Sequence, residues 1–249
     1  MALPGLQTRW PLRQWQAHLQ ELYSNQNKQR SPLETLSRVV EMASGVARGV
    51  REDDSETLRT FVPRTLAWIL GLATQLEIDL QDAVWRAYPG VCTHCHSDQG
   101  CSCKIHPEKR RRLKDEDEIY RLQQNHTLPA SLPEWQAMFG KIYLTINQVA
   151  AADKCVLHFL EELGEVSEAV RYKLAPESKY TPAEIKVMLQ NELADLFAWF
   201  IAVTNLERVE IDAYMQDIYE YVCPECGKSP CDCHPYHVHE SVRLGGKGV

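Results

Sequence analysis

The chain repeats itself, and that repeat limits its architecture more than any other feature. Trp15-Gln16-Ala17 returns as Trp135-Gln136-Ala137, and Tyr23 as Tyr143, 120 residues later. Val46, Val50 and Arg51 return as Val166, Val170 and Arg171 at the same offset of 120. Further on, Ala67-Trp68 matches Ala198-Trp199, and Cys92 and Cys95 match Cys223 and Cys226, at an offset of 131. Matches that keep one order and only two offsets mark an internal duplication. The second copy is longer by 11 residues between Arg171 and Ala198. Any fold for this chain is therefore built from two similar units.

Each unit reads as helices. In the second copy, Ser131 with Glu134 three residues on suggests a capping box opening a helix from about Pro133 to Ala150. Cys155, Phe159, Val166 and Ala169 keep helical spacing over a second helix, about Asp153 to Lys173, and Pro176 cannot continue it. Thr181-Pro182-Ala183-Glu184 combines an N-cap, a proline at the first helical position and a closing Glu, and opens a third helix to about Asn205. A fourth is expected over about Glu210 to Tyr221. In the first copy Ser31-Pro32-Leu33-Glu34 opens the second helix, and Pro63 is expected near the start of the third. No alternating strand pattern appears. The expected fold is all-α: two tandem four-helix units, each closed by a cysteine loop.

The expected divisions are a first unit over 8–106, a charged connecting segment over 107–130 and a second unit over 131–240. In the connector the acids Asp115-Glu116-Asp117-Glu118 follow the basic run Lys109-Arg110-Arg111-Arg112 at helical i, i+4 spacing, as expected for a solvated connecting helix. A formal net charge of -7 argues against nucleic acid as a partner. The N-terminus has no apolar run of signal-peptide length, and Leu196 to Val203 is short of the ~20 residues of a membrane span. A cytoplasmic protein with no membrane association is expected.

Carboxylates interrupt two of the apolar stripes. On the third helix of the second copy, Ile185, Leu189, Glu192, Leu196, Trp199 and Val203 share one face, with Asp195 beside Glu192. On the second helix, Glu162 falls in line with Phe159 and Val166, and Glu165 follows at i, i+3. Desolvating an unpaired carboxylate costs several kcal/mol. Two such intrusions on neighbouring helices point to a compensating hard cation such as Mg²⁺, which takes oxygen ligands and substrate phosphates. The first copy places Met42, Gly45, Phe61 and Arg64 at the corresponding positions, none of which holds Mg²⁺.

Glu162-x-x-Glu165, 26 intervening residues and Glu192-x-x-Asp195 resemble the ExxE…ExxD signature of the all-α nucleoside triphosphate pyrophosphohydrolases, the MazG-like superfamily. The resemblance covers the helices of the second copy well and the first copy only in apolar pattern. It implies cleavage of an NTP or dNTP to the monophosphate and pyrophosphate, with Glu162, Glu165, Glu192 and Asp195 holding catalytic Mg²⁺. It makes Glu161 a candidate to orient or deprotonate the attacking water. Lys173 and Lys179, at the 11-residue insertion, become candidates for substrate phosphates. Members of the family assemble as dimers or higher oligomers. That implies either a homo-oligomer or an intrachain pseudo-dimer in which the degenerate first copy partners the second.

Eight of the nine cysteines form two loops, Cys92, Cys95, Cys101, Cys103 and Cys223, Cys226, Cys231, Cys233. Four thiolates in two close pairs suit tetrahedral Zn²⁺, and a closed site of four thiolates is structural. Gly227 suits the tight turn of a metal knuckle. Nearby His94, His96, His106, His234, His237 and His239 are alternative ligands, and redox thiols or iron–sulfur ligation are rival uses of the same residues. The functional expectation is a nucleotide pyrophosphohydrolase with Mg²⁺ and two structural Zn²⁺. The competing class is a non-enzymatic, zinc-stabilised module that senses nucleotides or binds another protein.

Overall fold

A computed structural model describes residues 9–103, 113 and 115–234. Every regular element in it is a helix: α1 (Leu12–Leu22), α2 (Ser24–Asn27), α3 (Pro32–Glu52), α4 (Ser55–Gln75), α5 (Leu80–Ala87), α6 (Glu116–Asn125), α7 (Leu132–Ala150), α8 (Ala152–Leu174), α9 (Pro182–Leu206) and α10 (Ile211–Tyr219). The all-α expectation holds over the described residues. The basic run Lys109–Arg112 and the histidines His106, His237 and His239 lie outside them.

The helix starts follow local chemistry. Ser31 and Thr181 each accept from the backbone N–H three residues on, while Glu34 and Glu184 reach back, so both capping boxes form. Two expectations are corrected. Ser131 accepts no capping bond; Glu134 instead takes the N–H of Ala130 at 2.9 Å, one residue further out. Pro63 lies well inside α4, whose true cap is Asp54, accepting from Glu56 and Thr57. The Asp54-Ser55-Glu56 start is polar and local, and the proline is carried by a helix already fixed by packing, with its ring buried. The acids of the connector sit in the first turn of α6, where Asp115 caps Glu118 and the helix dipole favours negative charge. Arg86 of α5 pairs with Glu116.

Packing follows the duplication, with a twist in the connectivity. Within the first half α3 and α1 pack on α4; within the second, α8 and α7 pack on α9. The fourth helices then cross over: α5 packs on α9, and α10 packs on α4. Between the halves, α3 packs on α8. The cysteine loops cross too, since Cys101 N–H donates to Ile142 O and Cys231 N–H donates to Leu22 O, both at 2.7 Å. These bonds are counterparts, because Ile142 is Leu22 shifted by 120 residues.

The repeated Trp-Gln-Ala has a structural reason. Trp15 and Trp135 are fully buried. Gln16 donates to Ile78 O and accepts from Leu80 N–H, pinning the turn between α4 and α5. Gln136 does the same with Val209 O and Ile211 N–H between α9 and α10. By length and composition α9 is apolar enough to cross a membrane. Here that apolarity is used in packing, since helices from both halves cover it.

Candidate metal and substrate site

The helical stripes bring three of the carboxylates together. Cys155, Phe159, Val166 and Ala169 of α8 are buried, as are Ile185, Leu189, Leu196 and Val203 of α9. Glu162 and Glu192, held in those stripes, are half-buried. Glu162, Glu165 and Glu192 each offer an oxygen, and these oxygens lie within 4.8 Å of one another. Glu165 supplies its oxygen from the exposed side. Asp195 approaches from α9 and accepts a 2.5 Å hydrogen bond from the Tyr88 hydroxyl.

The electrostatics of this cluster are unbalanced. Burial first, and then Asp195, Glu165, Glu192 and Glu161, push the Glu162 carboxyl up to about 8. Its Oε2 is buried with no hydrogen-bond partner among the described residues. A buried acceptor without a donor is costly, and an all-oxygen donor set beside it fits a hard divalent cation.

A cavity of about 780 Å³ opens beside the cluster. Glu162, Glu192 and Asp195 line one wall, and Tyr143, Trp199 and Asn147 line others. The His158 ring stacks on Trp199 at 4.5 Å, and its Nδ1 is 2.9 Å from Glu161 Oε2. Glu161 itself is exposed and stands outside the lining. Lys173 is also exposed and outside it, and Lys179 lies against the Tyr172 and Tyr180 rings at 5.6 and 4.9 Å. Lys179 thus forms an aromatic–lysine cluster with Tyr172 and Tyr180, none of which lines the cavity.

Tyr88 is a residue of the candidate site that sequence reasoning missed. It comes from the first half, at the end of α5, and reaches the acid cluster only because the fourth helices cross. Its phenol is pushed well above the ordinary range by burial and then by Asp195, so it is held as a donor. The signal was in the repeat: Tyr88 and Tyr219 each precede the first cysteine of their loop by four residues.

The other copy shows what this space becomes without carboxylates. A Cβ placed on Gly45 would lie 2.1 Å from the Phe61 ring. Gly45 and Phe61 correspond to Glu165 and Glu192, so an aromatic ring occupies the space where the second copy gathers oxygens.

Both cysteine loops form compact thiol clusters. Cys92 Sγ lies 3.5 Å from Cys101 and 3.7 Å from Cys103; the Cys223–Cys233 and Cys226–Cys231 separations are both 3.9 Å. A Zn–S distance of about 2.3 Å in a tetrahedron gives S···S edges of about 3.8 Å. The clusters could each hold a zinc ion. All eight thiols are free of disulfides. Burial pushes Cys95 up, but N–H donors from Ser97 and Ser102 together with the Cys92 and Cys103 thiols bring it down to about 6; for Cys226 the Asp232 N–H is the largest influence and likewise brings it to about 6. Gly227 has φ +65°, as the knuckle turn requires, and His96 takes φ +56° at the matching place in the first loop. His94 is bonded to Thr93 and His96 faces Glu118, so neither joins the thiol cluster. Cys92, Cys101 and Cys103 also wall the large cavity. Comparison with models of known protein families, with curated proteins and with solved structures finds no match.

Proposed function

We propose that the chain is a Mg²⁺-dependent nucleoside triphosphate pyrophosphohydrolase. In this reading the second half is a live MazG-like unit and the first a degenerate one, together an intrachain pseudo-dimer. The observation that carries it is the convergence of Glu162, Glu165 and Glu192, with an orphaned Glu162 oxygen, beside a cavity of about 780 Å³ that Glu162, Glu192 and Asp195 line. That volume suits a nucleotide-sized ligand, and Tyr143 and Trp199 offer aromatic faces for a base. The carboxylates would hold the ion, whose chemistry is to neutralise phosphate charge.

The residues of the chain supply the rest. Tyr88 orients the Asp195 carboxylate by donating to its Oδ1. Glu161 and His158 form a carboxylate–imidazole pair at the cavity edge, and we assign water orientation to this pair. Attack of that water on the α-phosphorus forms one P–O bond and breaks the α–β bridge, releasing monophosphate and pyrophosphate. Lys173 and Lys179 receive no substrate contact in this scheme.

The test is pyrophosphate release from each NTP and dNTP with Mg²⁺, with Glu162→Gln and Asp195→Asn as controls. Turnover that falls at least a hundredfold in both variants is expected. No turnover on any nucleotide, or turnover indifferent to both changes, overturns the enzyme. Mg²⁺-dependent nucleotide binding without turnover would instead favour the sensing module.

A further inference from the structure

The large cavity has a counterpart that bears the opposite charge. Shifting its residues back by 120 or 131 turns Tyr143, Glu162, Asp195 and Trp199 into Tyr23, Met42, Arg64 and Trp68. Those four line a second pocket of about 60 Å³, walled by Cys231 and Cys233 of the second cysteine loop. The degenerate site is therefore not filled in completely, although the Phe61 ring closes the part that faces Gly45.

Three arginines converge on this pocket from three segments. Arg30 comes from the turn before α3, Arg38 from α3 and Arg64 from α4. Glu225 is the one carboxylate among the described lining residues. The Arg30 guanidinium lies over the Trp68 ring at 4.8 Å, and burial followed by the charge of Arg38 pushes it below its ordinary value. Arg38 donates to Glu41 at 2.5 Å and Arg64 to Thr60 O at 2.7 Å. A guanidinium carries five N–H donors, so Arg38 and Arg64 keep donors beyond those two bonds. Glu41 offsets the charge of Arg38 in part, and Cys231 and Glu34 that of Arg30, while the planar guanidinium forks that face the pocket match phosphate oxygens.

We infer that this pocket binds one phosphate group, free or as the end of a larger phosphate compound, through Arg38 and Arg64. The volume admits a single tetrahedral oxyanion and excludes a whole nucleotide. The inference does not rest on the hydrolase reading, because without Mg²⁺ the acidic cavity repels the same ligand.

The experiment titrates inorganic pyrophosphate into the full, zinc-loaded chain by calorimetry with no added Mg²⁺. Separate arms use inorganic phosphate and a non-hydrolysable nucleoside triphosphate analogue. Saturable pyrophosphate binding is expected, weakened roughly tenfold or more by Arg38→Gln with Arg64→Gln and unchanged by Glu162→Gln. Gly71→Asp provides a variant that removes no arginine. Gly71 lines the pocket and a Cβ there meets nothing within 4 Å, so the added carboxylate should repel the ligand without crowding the fold. Stronger binding of the free anions than of the analogue identifies a free-anion site, whereas a preference for the analogue identifies the terminal phosphate of a nucleotide. No saturation up to about 10 mM, or binding indifferent to the arginine and Gly71 changes, overturns the inference.

Discussion

At Glu162, burial and charge oppose each other within one side chain. Its carboxyl is held up at about 8 against an ordinary 4.5, by burial and then by its acidic neighbours. A carboxyl raised on folding binds more protons in the native state, so stability falls as pH rises from about 4.5 towards 8. In Mg²⁺-free buffer, Glu162→Gln should therefore melt at a higher temperature than the parent at pH 8, with the gap closing by pH 4.5. Added Mg²⁺ should raise the parent's melting temperature and leave the variant's nearly unmoved. A parent that is equally stable at both pH values relative to the variant would contradict the buried-charge argument. Gly45 makes the complementary case. Because the Phe61 ring occupies the place of a Cβ, Gly45→Ala should cost about 1–3 kcal/mol in urea denaturation through overpacking. A neutral result would mean that the ring moves freely aside.

Among the elements, α9 is the one on which both fold and site depend. It carries Glu192 and Asp195 and packs on α5, α7 and α8. Its start is fixed by Thr181, which accepts from Glu184 N–H while Glu184 reaches back to Thr181 N–H. Thr181→Ala should destabilise by about 1 kcal/mol in denaturant unfolding with the slope unchanged; no shift in the midpoint would show that packing alone fixes the start. Capping boxes and apolar periods were legible in the sequence because they act within three or four residues. Ser131 misled for the same reason: the residue types fit a box, but the chain before it lets Glu134 cap Ala130 instead. Pro63 misled because a proline start signal is weaker than a buried helix face.

For the whole molecule, the crossing of the fourth helices and cysteine loops ties each half to the other. Each loop stands against the first helix of the opposite half, through Cys101 on Ile142 and Cys231 on Leu22. If each cluster holds zinc, metal analysis should find two equivalents per chain, and chelation should lower the melting temperature by ~10 °C or more. Cys101→Ser should also impair the large cavity more than Cys231→Ser does, because Cys101 walls it and Cys231 walls the basic pocket. Equal losses of Mg²⁺-nucleotide binding in the two variants would argue that the loops act only on global stability.

The sequence by itself determined the helices, the duplication, the two thiol sets and the four carboxylates, since each is written in short spacings or in a comparison of one copy with the other. It also showed that the first copy needs no carboxylates, through Met42, Gly45, Phe61 and Arg64. Only the tertiary structure decided that α5 and α10 exchange partners, that Tyr88 donates to Asp195, and that Lys173 and Lys179 are not among the residues lining the cavity. It alone separated a large acidic cavity from a small basic pocket. Those outcomes depend on contacts between residues as far apart as Tyr88 and Asp195, and on volumes left where whole helices fail to fill space. Periodicity reports which face of a helix is buried, but not which helix buries it.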